Sequence, residues 1–267
     1  MKANANGIET YYEIHGKEGA PWLVFSHSLA CSVRMWDGQI AALKDRFRVL
    51  AYDTRGHGQS AAPKGAYTLE GLADDLHALL KTLNIGKAHF CGLSMGGMIG
   101  QTFAIKYPGI FQSLIACDTT SRYPAAAAPL WQDRIRVAES QGLKPLVQPT
   151  LERWFTEAFR KGKPEEVKKV AAQIEKTPVA GYVGCCHAIP KIDVTARLKE
   201  IKCPALVICG EDDPGTPPAM AREIHENLPG SKLVLIPQAA HLSNIEQPAA
   251  FNRALAEFLS SPASARA

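Results

Sequence analysis

The residues of this chain best suited to chemistry are a serine and the small residues around it, in the run GLSMGG at residues 92–97. The run follows AHFC, which predicts a strand, and precedes MIGQTFAIKY, which predicts a helix. Small residues on both sides of a serine allow a sharp strand-to-helix turn that lifts the hydroxyl above the sheet. Ser94 is therefore the predicted nucleophile for attack on a carbonyl carbon.

A serine hydroxyl needs a base to take its proton, and the base needs an orienting acid. In sites built on such a turn the acid and the histidine follow the serine in the chain, in that order. His187, His225 and His241 are the histidines after Ser94. His187 falls in a region with helical patterning and His225 in the helix-like AMAREIHENL, whereas His241 comes after an apolar run that predicts a strand. His241 is the predicted base.

Three aspartates are candidates for the acid. Asp213 ends ALVICGEDD and precedes Pro214, so it lies on a loop at the carboxyl end of a predicted strand. Asp212 is its neighbour, and Asp118 ends the preceding predicted strand, a position from which an acid also reaches the histidine. We favour Asp213, with Asp118 and Asp212 as the alternatives.

The negative charge that develops on the attacked carbonyl oxygen needs two preorganised hydrogen-bond donors. In this type of site one is the backbone N–H after the nucleophile, and the other lies on the loop after an earlier strand. These positions correspond to Met95 and to Leu29, which follows the strand-like WLVF in SHSLA at residues 26–30.

The elements that must position these residues alternate along the chain. An Asn6-Gly7 turn before IETYYEIHG predicts an N-terminal hairpin, and apolar runs of strand length continue to residue 237. Their hydrophobicity is continuous, as in strands covered on both faces, so they predict a mostly parallel sheet. Helical patterns lie between most of them, for example after the predicted N-cap Thr68. The runs are 22–27, 47–53, 88–94, 113–118, 205–212 and 232–237.

The alternation fails between residues 122 and 195, where only helix-like stretches such as PLWQDRIRVAES and PEEVKKVAAQIEK occur. Residues 122–195 therefore predict a helical cap over the carboxyl edge of the sheet, where ligands bind in open α/β folds. Residues 1–121 and 196–267 form the predicted α/β core. The segment SSPASARA at residues 260–267 is expected to fray.

Composition excludes several classes of protein. The 267 residues are 46% hydrophobic and 21% charged, and the net charge of +4 is not concentrated into the basic stripe of a nucleic-acid-binding protein. We expect a cytoplasmic protein with no membrane partner, since no apolar span and no secretory signal are visible. We expect no metal, because no Cys or His pair has zinc-ligand spacing. We also expect no cofactor, because Pro63 and Gly65 interrupt the helix that the G-x-G-x-x-A string after Asp53 would have to open. The oligomeric state is left open.

The chain resembles enzymes of the α/β-hydrolase fold over essentially its whole length. The resemblance is carried by GLSMGG, by DTRGHGQS at 53–60, by GEDDPGTPP at 210–218 and by AAHLSNIEQP at 239–248. Within that family it is most similar to 3-oxoadipate enol-lactonases, including RWFT at 153–156. The loop that usually reads Asn-Ser-Leu-Gly in those lactonases is HSLA at residues 27–30 here.

The resemblance implies a five-membered enol-lactone that carries a carboxymethyl arm, an intermediate of aromatic catabolism. A substrate carboxylate calls for a cation, preferably arginine. The candidates in the predicted cap are Arg122, Arg134, Arg136 and Arg153, of which we favour Arg134 because it follows Trp131 in a helical pattern. Trp131 and Trp154 are candidate walls of an apolar pocket.

Two other functions are also compatible with this sequence. One is a carboxylesterase that accepts a broad set of short-chain esters. The other belongs to a different class, a receptor for butenolide-type ligands that retains the triad and turns over very slowly. The fold and the triad do not separate these functions from a lactonase, because function depends on the pocket.

Overall fold

Eight strands form a single sheet in the computed structural model, which describes residues 1–261. The spatial order is β1-β2-β4-β3-β5-β6-β7-β8, with β1 and β2 antiparallel to their neighbours and the remaining pairs parallel. The predicted strand runs are all present, each within a few residues of its predicted bounds. The strands are β1 (Lys2–Ala5), β2 (Ile8–His15), β3 (Trp22–Ser26), β4 (Arg48–Tyr52), β5 (Ala88–Leu93), β6 (Phe111–Cys117), β7 (Ala205–Gly210) and β8 (Lys232–Ile236).

The N-terminal hairpin forms as its turn residues predict. Asn6 and Gly7 both adopt positive φ, 51° and 76°, as a two-residue hairpin turn requires. β2 alternates between buried and less buried positions, whereas β5 and β7 are buried at every position. This difference follows from their places in the sheet, because the central parallel strands are covered on both faces.

Helices flank the sheet and connect its parallel strands. Thr68 caps the helix after β4 as predicted, since its hydroxyl oxygen accepts a 3.0 Å hydrogen bond from the Gly71 N–H. The helices of the core are α1 (Asp37–Leu43), α2 (Leu69–Thr82), α3 (Met95–Lys106), α9 (Pro218–Asn227), α10 (Ser243–Glu246) and α11 (Pro248–Leu259). Among residues 1–261 we find no helix with both the length and the apolar character to cross a bilayer.

The segment between β6 and β7 is helical. The two chains that enter and leave it meet in an isolated antiparallel bridge between Arg122 and Asp193, next to a 2.8 Å hydrogen bond from the Val194 N–H to the Ser121 carbonyl. All five α-helices of this segment lie inside residues 122–195. They are α4 (Ala128–Gln141), α5 (Lys144–Trp154), α6 (Glu157–Gly162), α7 (Pro164–Lys176) and α8 (Val179–Ala188).

The predicted fraying of the last segment concerns mainly residues 262–267, which lie outside the described residues.

Candidate active site

Ser94 lies on a strained turn between β5 and α3. Its φ of 56° and ψ of −115° belong to a conformation that residues other than glycine rarely adopt. The turn needs glycine on both sides, since a Cβ on Gly92 would come within 2.2 Å of the Gly96 carbonyl oxygen, and one on Gly96 within 2.1 Å of the Ser26 carbonyl oxygen. A 2.8 Å hydrogen bond from the Ser94 N–H to the Cys117 carbonyl ties the turn to β6. The GLSMGG pattern thus has a direct steric reason.

The predicted nucleophile, base and acid are adjacent in the structure. His241 Nε2 lies 2.9 Å from Ser94 Oγ, and His241 Nδ1 lies 2.8 Å from Asp213 Oδ2. His241 lies on the loop between β8 and α10, and Asp213 on the loop after β7. These are the distances at which a base can take the serine proton and an acid can orient the base.

Four hydrogen bonds hold the Asp213 carboxylate in place. Oδ1 accepts from the N–H groups of Gly215 (2.7 Å) and Thr216 (3.1 Å), and Oδ2 accepts from the Thr216 hydroxyl (2.7 Å) and from His241. Burial by itself would raise the pKa of Asp213, but the attraction to His241 and the hydrogen bonds from His241 and Thr216 lower the pKa below its usual value. Asp213 is therefore ionised near neutral pH.

The other candidate acids and bases occupy different environments. Asp212 is exposed to solvent, and His225 Nδ1 pairs with Ser231 Oγ at 2.8 Å, away from the serine. Asp118 is fully buried, and its two oxygens accept from the Gly210 N–H (2.8 Å) and the Ser243 hydroxyl (2.6 Å) rather than from His241. His187 is on α8, and no hydrogen bond joins it to Ser94 within residues 1–261.

Two backbone donors are available beside Ser94. Met95 opens α3, so its N–H has no partner within the helix. Leu29 follows β3, in which Ser26 pairs with Gly92 of β5, so the loop after β3 runs beside the turn of Ser94. In the part of the chain that the structure describes, neither the Leu29 nor the Met95 N–H has a hydrogen-bond acceptor. They are the predicted oxyanion donors.

Helix α5 of the 122–195 segment packs against the histidine loop. The Trp154 ring is nearly parallel to His241, with centroids 6.2 Å apart, and the Leu242 N–H donates to the Trp154 carbonyl at 3.1 Å. Trp131, on α4, is buried against Tyr123 with the rings at 70°. Trp154 therefore lies beside the triad, while Trp131 packs within the helical segment.

The four candidate arginines fall into two groups. Arg122 pairs with Glu223, and the exposed Arg136 pairs with Asp133. Arg134 and Arg153 have no carboxylate within ion-pair distance among residues 1–261.

The two unpaired arginines line one cavity of about 470 Å³, which Pro214, the residue after Asp213, also borders. Burial and then repulsion by Arg134 lower the pKa of Arg153 to about 10, so its guanidinium keeps its charge at neutral pH. Arg134 lies over the Trp131 ring at 4.6 Å. A larger cavity of about 1000 Å³ lies between α7 and α1. None of Ser94, Asp213 and His241 lines either cavity.

Sequence reasoning missed a buried carboxylate that joins the helical segment to the histidine loop. Glu246 Oε1 accepts hydrogen bonds from the N–H (3.0 Å) and the hydroxyl of Thr156, and Oε2 accepts from the N–H of Ala240 (2.9 Å), the residue before His241. Thr216, the second partner of Asp213, was also missed. Glu246 lies in the motif AAHLSNIEQP, but its partner Thr156 is distant in sequence. Thr216 lies in the motif GEDDPGTPP, but its contact with Asp213 depends on how that loop folds.

Comparison with known proteins identifies the family of this chain. The model of the α/β-hydrolase fold family matches residues 21–248. The 3-oxoadipate enol-lactonase 2 of Acinetobacter baylyi is 40% identical over 251 residues, which cover 94% of this chain and 93% of that protein.

Two solved structures are also similar. The enol-lactonase from Burkholderia xenovorans LB400 is 39% identical, with a TM-score of 0.95 and coverage of 98% of this chain and 100% of that one. A malate-bound thermophilic esterase from Thermogutta terrifontis is 32% identical, with a TM-score of 0.91 and 97% coverage of both chains. By its sequence, its sheet topology and its strand–turn–helix serine, the chain belongs to the α/β-hydrolase fold family.

Proposed function

We propose that the protein hydrolyses a carboxylic ester or lactone through an acyl-enzyme on Ser94. The observation that carries this proposal is the continuous hydrogen-bonded series from Ser94 Oγ through His241 to the ionised Asp213. The Leu29 and Met95 N–H groups beside it add donors for an oxyanion.

In the first half of the reaction Ser94 Oγ attacks the carbonyl carbon while His241 Nε2 takes its proton. Asp213 stabilises the imidazolium that forms, and the Leu29 and Met95 N–H groups donate to the oxyanion. The tetrahedral intermediate collapses to the acyl-enzyme, and the leaving oxygen receives its proton from His241. Water then repeats the sequence, with His241 as its base, and frees Ser94.

The proposed substrate is 3-oxoadipate enol-lactone, within aromatic catabolism. The names of the similar lactonases support this choice, and so does the pair of arginines that have no ion-pair partner among residues 1–261. A half-buried guanidinium with no acidic partner is a costly arrangement unless an anion joins it, and Arg134 and Arg153 share one cavity beside the acid loop. We propose that they bind the substrate carboxylate, that Trp131 and Trp154 wall the pocket, and that residues 122–195 act as the cap.

The arginine proposal is tested with the variants R134M and R153M, and with R122M as the matched control, because Arg122 is exposed, paired with Glu223 and does not line this cavity. Loss of one charge-assisted hydrogen bond, worth about 1.5–3 kcal/mol, should raise KM for the lactone by about 10- to 100-fold. The same variants should leave KM for the uncharged p-nitrophenyl acetate within about threefold. An equal rise for both substrates would show that these arginines do not bind the carboxylate.

The choice of substrate is tested by kcat/KM for the enol-lactone, p-nitrophenyl acetate and longer acyl esters. We expect the lactone to be preferred. A preference of tenfold or more for an uncharged ester would instead identify a short-chain carboxylesterase.

A butenolide receptor is separated from both enzymes by its time course. An enzyme should sustain turnover with kcat in the usual range of about 1 to 10³ per second. A receptor would release one equivalent of product and then stop at the acyl-enzyme, which mass spectrometry of intact protein would detect on Ser94.

A further inference from the structure

Two histidines that the proposed reaction does not use form hydrogen bonds with backbone groups of the HSLA loop (residues 27–30), which carries the Leu29 N–H. His27 and His57 are both fully buried, and their ring centroids are 5.2 Å apart. His27 is the first residue of the HSLA loop, and His57 comes from the DTRGHGQS turn after β4. Fully buried histidines need a hydrogen-bond partner at each ring nitrogen, and those partners determine where the ring proton lies.

His27 holds the peptide that carries the Leu29 N–H. Its Nε2 lies 2.9 Å from the Thr54 backbone N–H, so Nε2 must accept and the ring proton must be on Nδ1. Nδ1 in turn donates to the Ser28 carbonyl at 2.7 Å. The Ser28 carbonyl and the Leu29 N–H belong to one planar peptide unit, so a bond that fixes the carbonyl also fixes the direction of the N–H.

His57 holds the next peptide in the same way. Its Nε2 accepts from the Ala30 N–H at 2.9 Å, and its Nδ1 lies 3.2 Å from the Arg55 carbonyl, to which it donates. Ala30 has a φ of 57°, in the left-handed region that costs a residue with a Cβ roughly 1–2 kcal/mol. The bond to His57 therefore holds the loop in a conformation that its own sequence does not favour.

We propose that His27 and His57 are positioning residues for the oxyanion hole: as neutral rings with the proton on Nδ1, they fix the two peptide units on either side of the Leu29 Cα. Preorganised donors stabilise an oxyanion because they need no reorientation when the charge develops. Hydrogen bonding at the Ser28 carbonyl also polarises the peptide and strengthens its N–H as a donor. The inference rests on the proposed acyl transfer at Ser94.

The neutral state of both rings agrees with their surroundings. Burial lowers the pKa of His27 to about 4, and burial together with the neighbouring His27 lowers the pKa of His57 to about 3. A proton on either Nε2 would face a backbone N–H and remove its acceptor. The two rings are thus suited to act as fixed acceptors and donors and not as proton carriers.

Paired amide variants test the roles of individual ring nitrogens. By bond count, the end of a glutamine side chain falls where Nε2 lies, and the end of an asparagine side chain where Nδ1 lies. At position 57 the essential group is the acceptor at Nε2, so H57Q should retain more activity than H57N. At position 27 it is the donor at Nδ1, so H27N should retain more activity than H27Q.

The expected loss in H57N and H27Q is about 10- to 100-fold in kcat for p-nitrophenyl acetate, below the 10² to 10³ of a deleted oxyanion donor. KM should change by less than about threefold, while the affinity of a boronic acid that mimics the tetrahedral intermediate should fall with kcat. The partly exposed His77 provides the matched control, since H77N and H77Q should not differ. A merely structural role predicts similar losses at both positions with either amide, and that result would overturn the proposal.

A measurement on the unaltered protein covers the case in which the variants do not fold. Nitrogen-15 NMR of labelled histidine should show both rings as neutral Nδ1–H tautomers at pH 7. An Nε2–H tautomer or a charged ring at either position would refute the inference. This readout does not depend on activity, so a failure of the proposed hydrolysis would be recognised separately, by the absence of acylation at Ser94.

Discussion

Replacement of Asp213 by asparagine should abolish most activity while keeping the size and shape of the side chain. Asp213 Oδ1 faces two backbone N–H groups, so the amide oxygen of an asparagine must take that position and its NH₂ group must face Thr216 and His241. His241 Nδ1 then has to accept, and the ring proton moves to Nε2, opposite Ser94 Oγ. The base is thereby held in the tautomer that cannot take a proton.

The expected cost is a 10³- to 10⁴-fold lower kcat, equivalent to about 4–5.5 kcal/mol of transition-state stabilisation. The D118N variant is the matched control, since Asp118 is equally buried and a carboxylate oxygen lies within 4.8 Å of one from Asp213. Burial and the nearby Asp213 charge raise the pKa of Asp118 well above its usual value. An asparagine reproduces this neutral acid, with its oxygen toward the Gly210 N–H and its NH₂ toward Ser243, so kcat should fall by less than about tenfold.

The assay is kcat and KM for p-nitrophenyl acetate with both variants, at equal folded fraction by circular dichroism. A larger loss in D118N than in D213N would show that Asp118, and not Asp213, is the orienting acid. A loss of less than tenfold in D213N would show that the tautomer of His241 does not limit the reaction.

Three further outcomes are expected. The S94A variant should lose about 10⁶ in kcat, and a loss below tenfold would exclude Ser94 as the nucleophile. The E246Q variant, which offers one oxygen where two backbone N–H groups need an acceptor each, should lose about 1–3 kcal/mol of unfolding free energy in urea, unlike the exposed control E257Q. Because its folded pKa is raised, Asp118 contributes stability that is complete below the unfolded pKa of about 3.9 and is lost as pH rises toward the folded pKa. The advantage in stability of D118N over the wild type should therefore grow from pH 4 to pH 8, and a constant difference would contradict the raised pKa.

The order and kind of the elements that carry the site could be predicted from the amino-acid sequence. Continuous apolar runs identified the buried strands, and the helical pattern after Thr68 identified α2, because both patterns reflect local periodicity and burial. GLSMGG determined the strained turn at Ser94, since only small neighbours avoid a clash with the Gly96 and Ser26 carbonyls. The family resemblance rested on the same local motifs, and the comparisons bear it out.

Tertiary structure alone decided between residues of the same type. Asp118, Asp212 and Asp213 all follow predicted strands, and only their burial and partners distinguish them: Asp213 faces His241, Asp118 faces Ser243, and Asp212 faces solvent. Among residues 1–261, Arg136 forms an ion pair with Asp133, whereas Arg153 has no carboxylate within ion-pair distance. A side chain's hydrogen bonds and the polarity of its surroundings come from residues distant in the chain, so no local pattern records them.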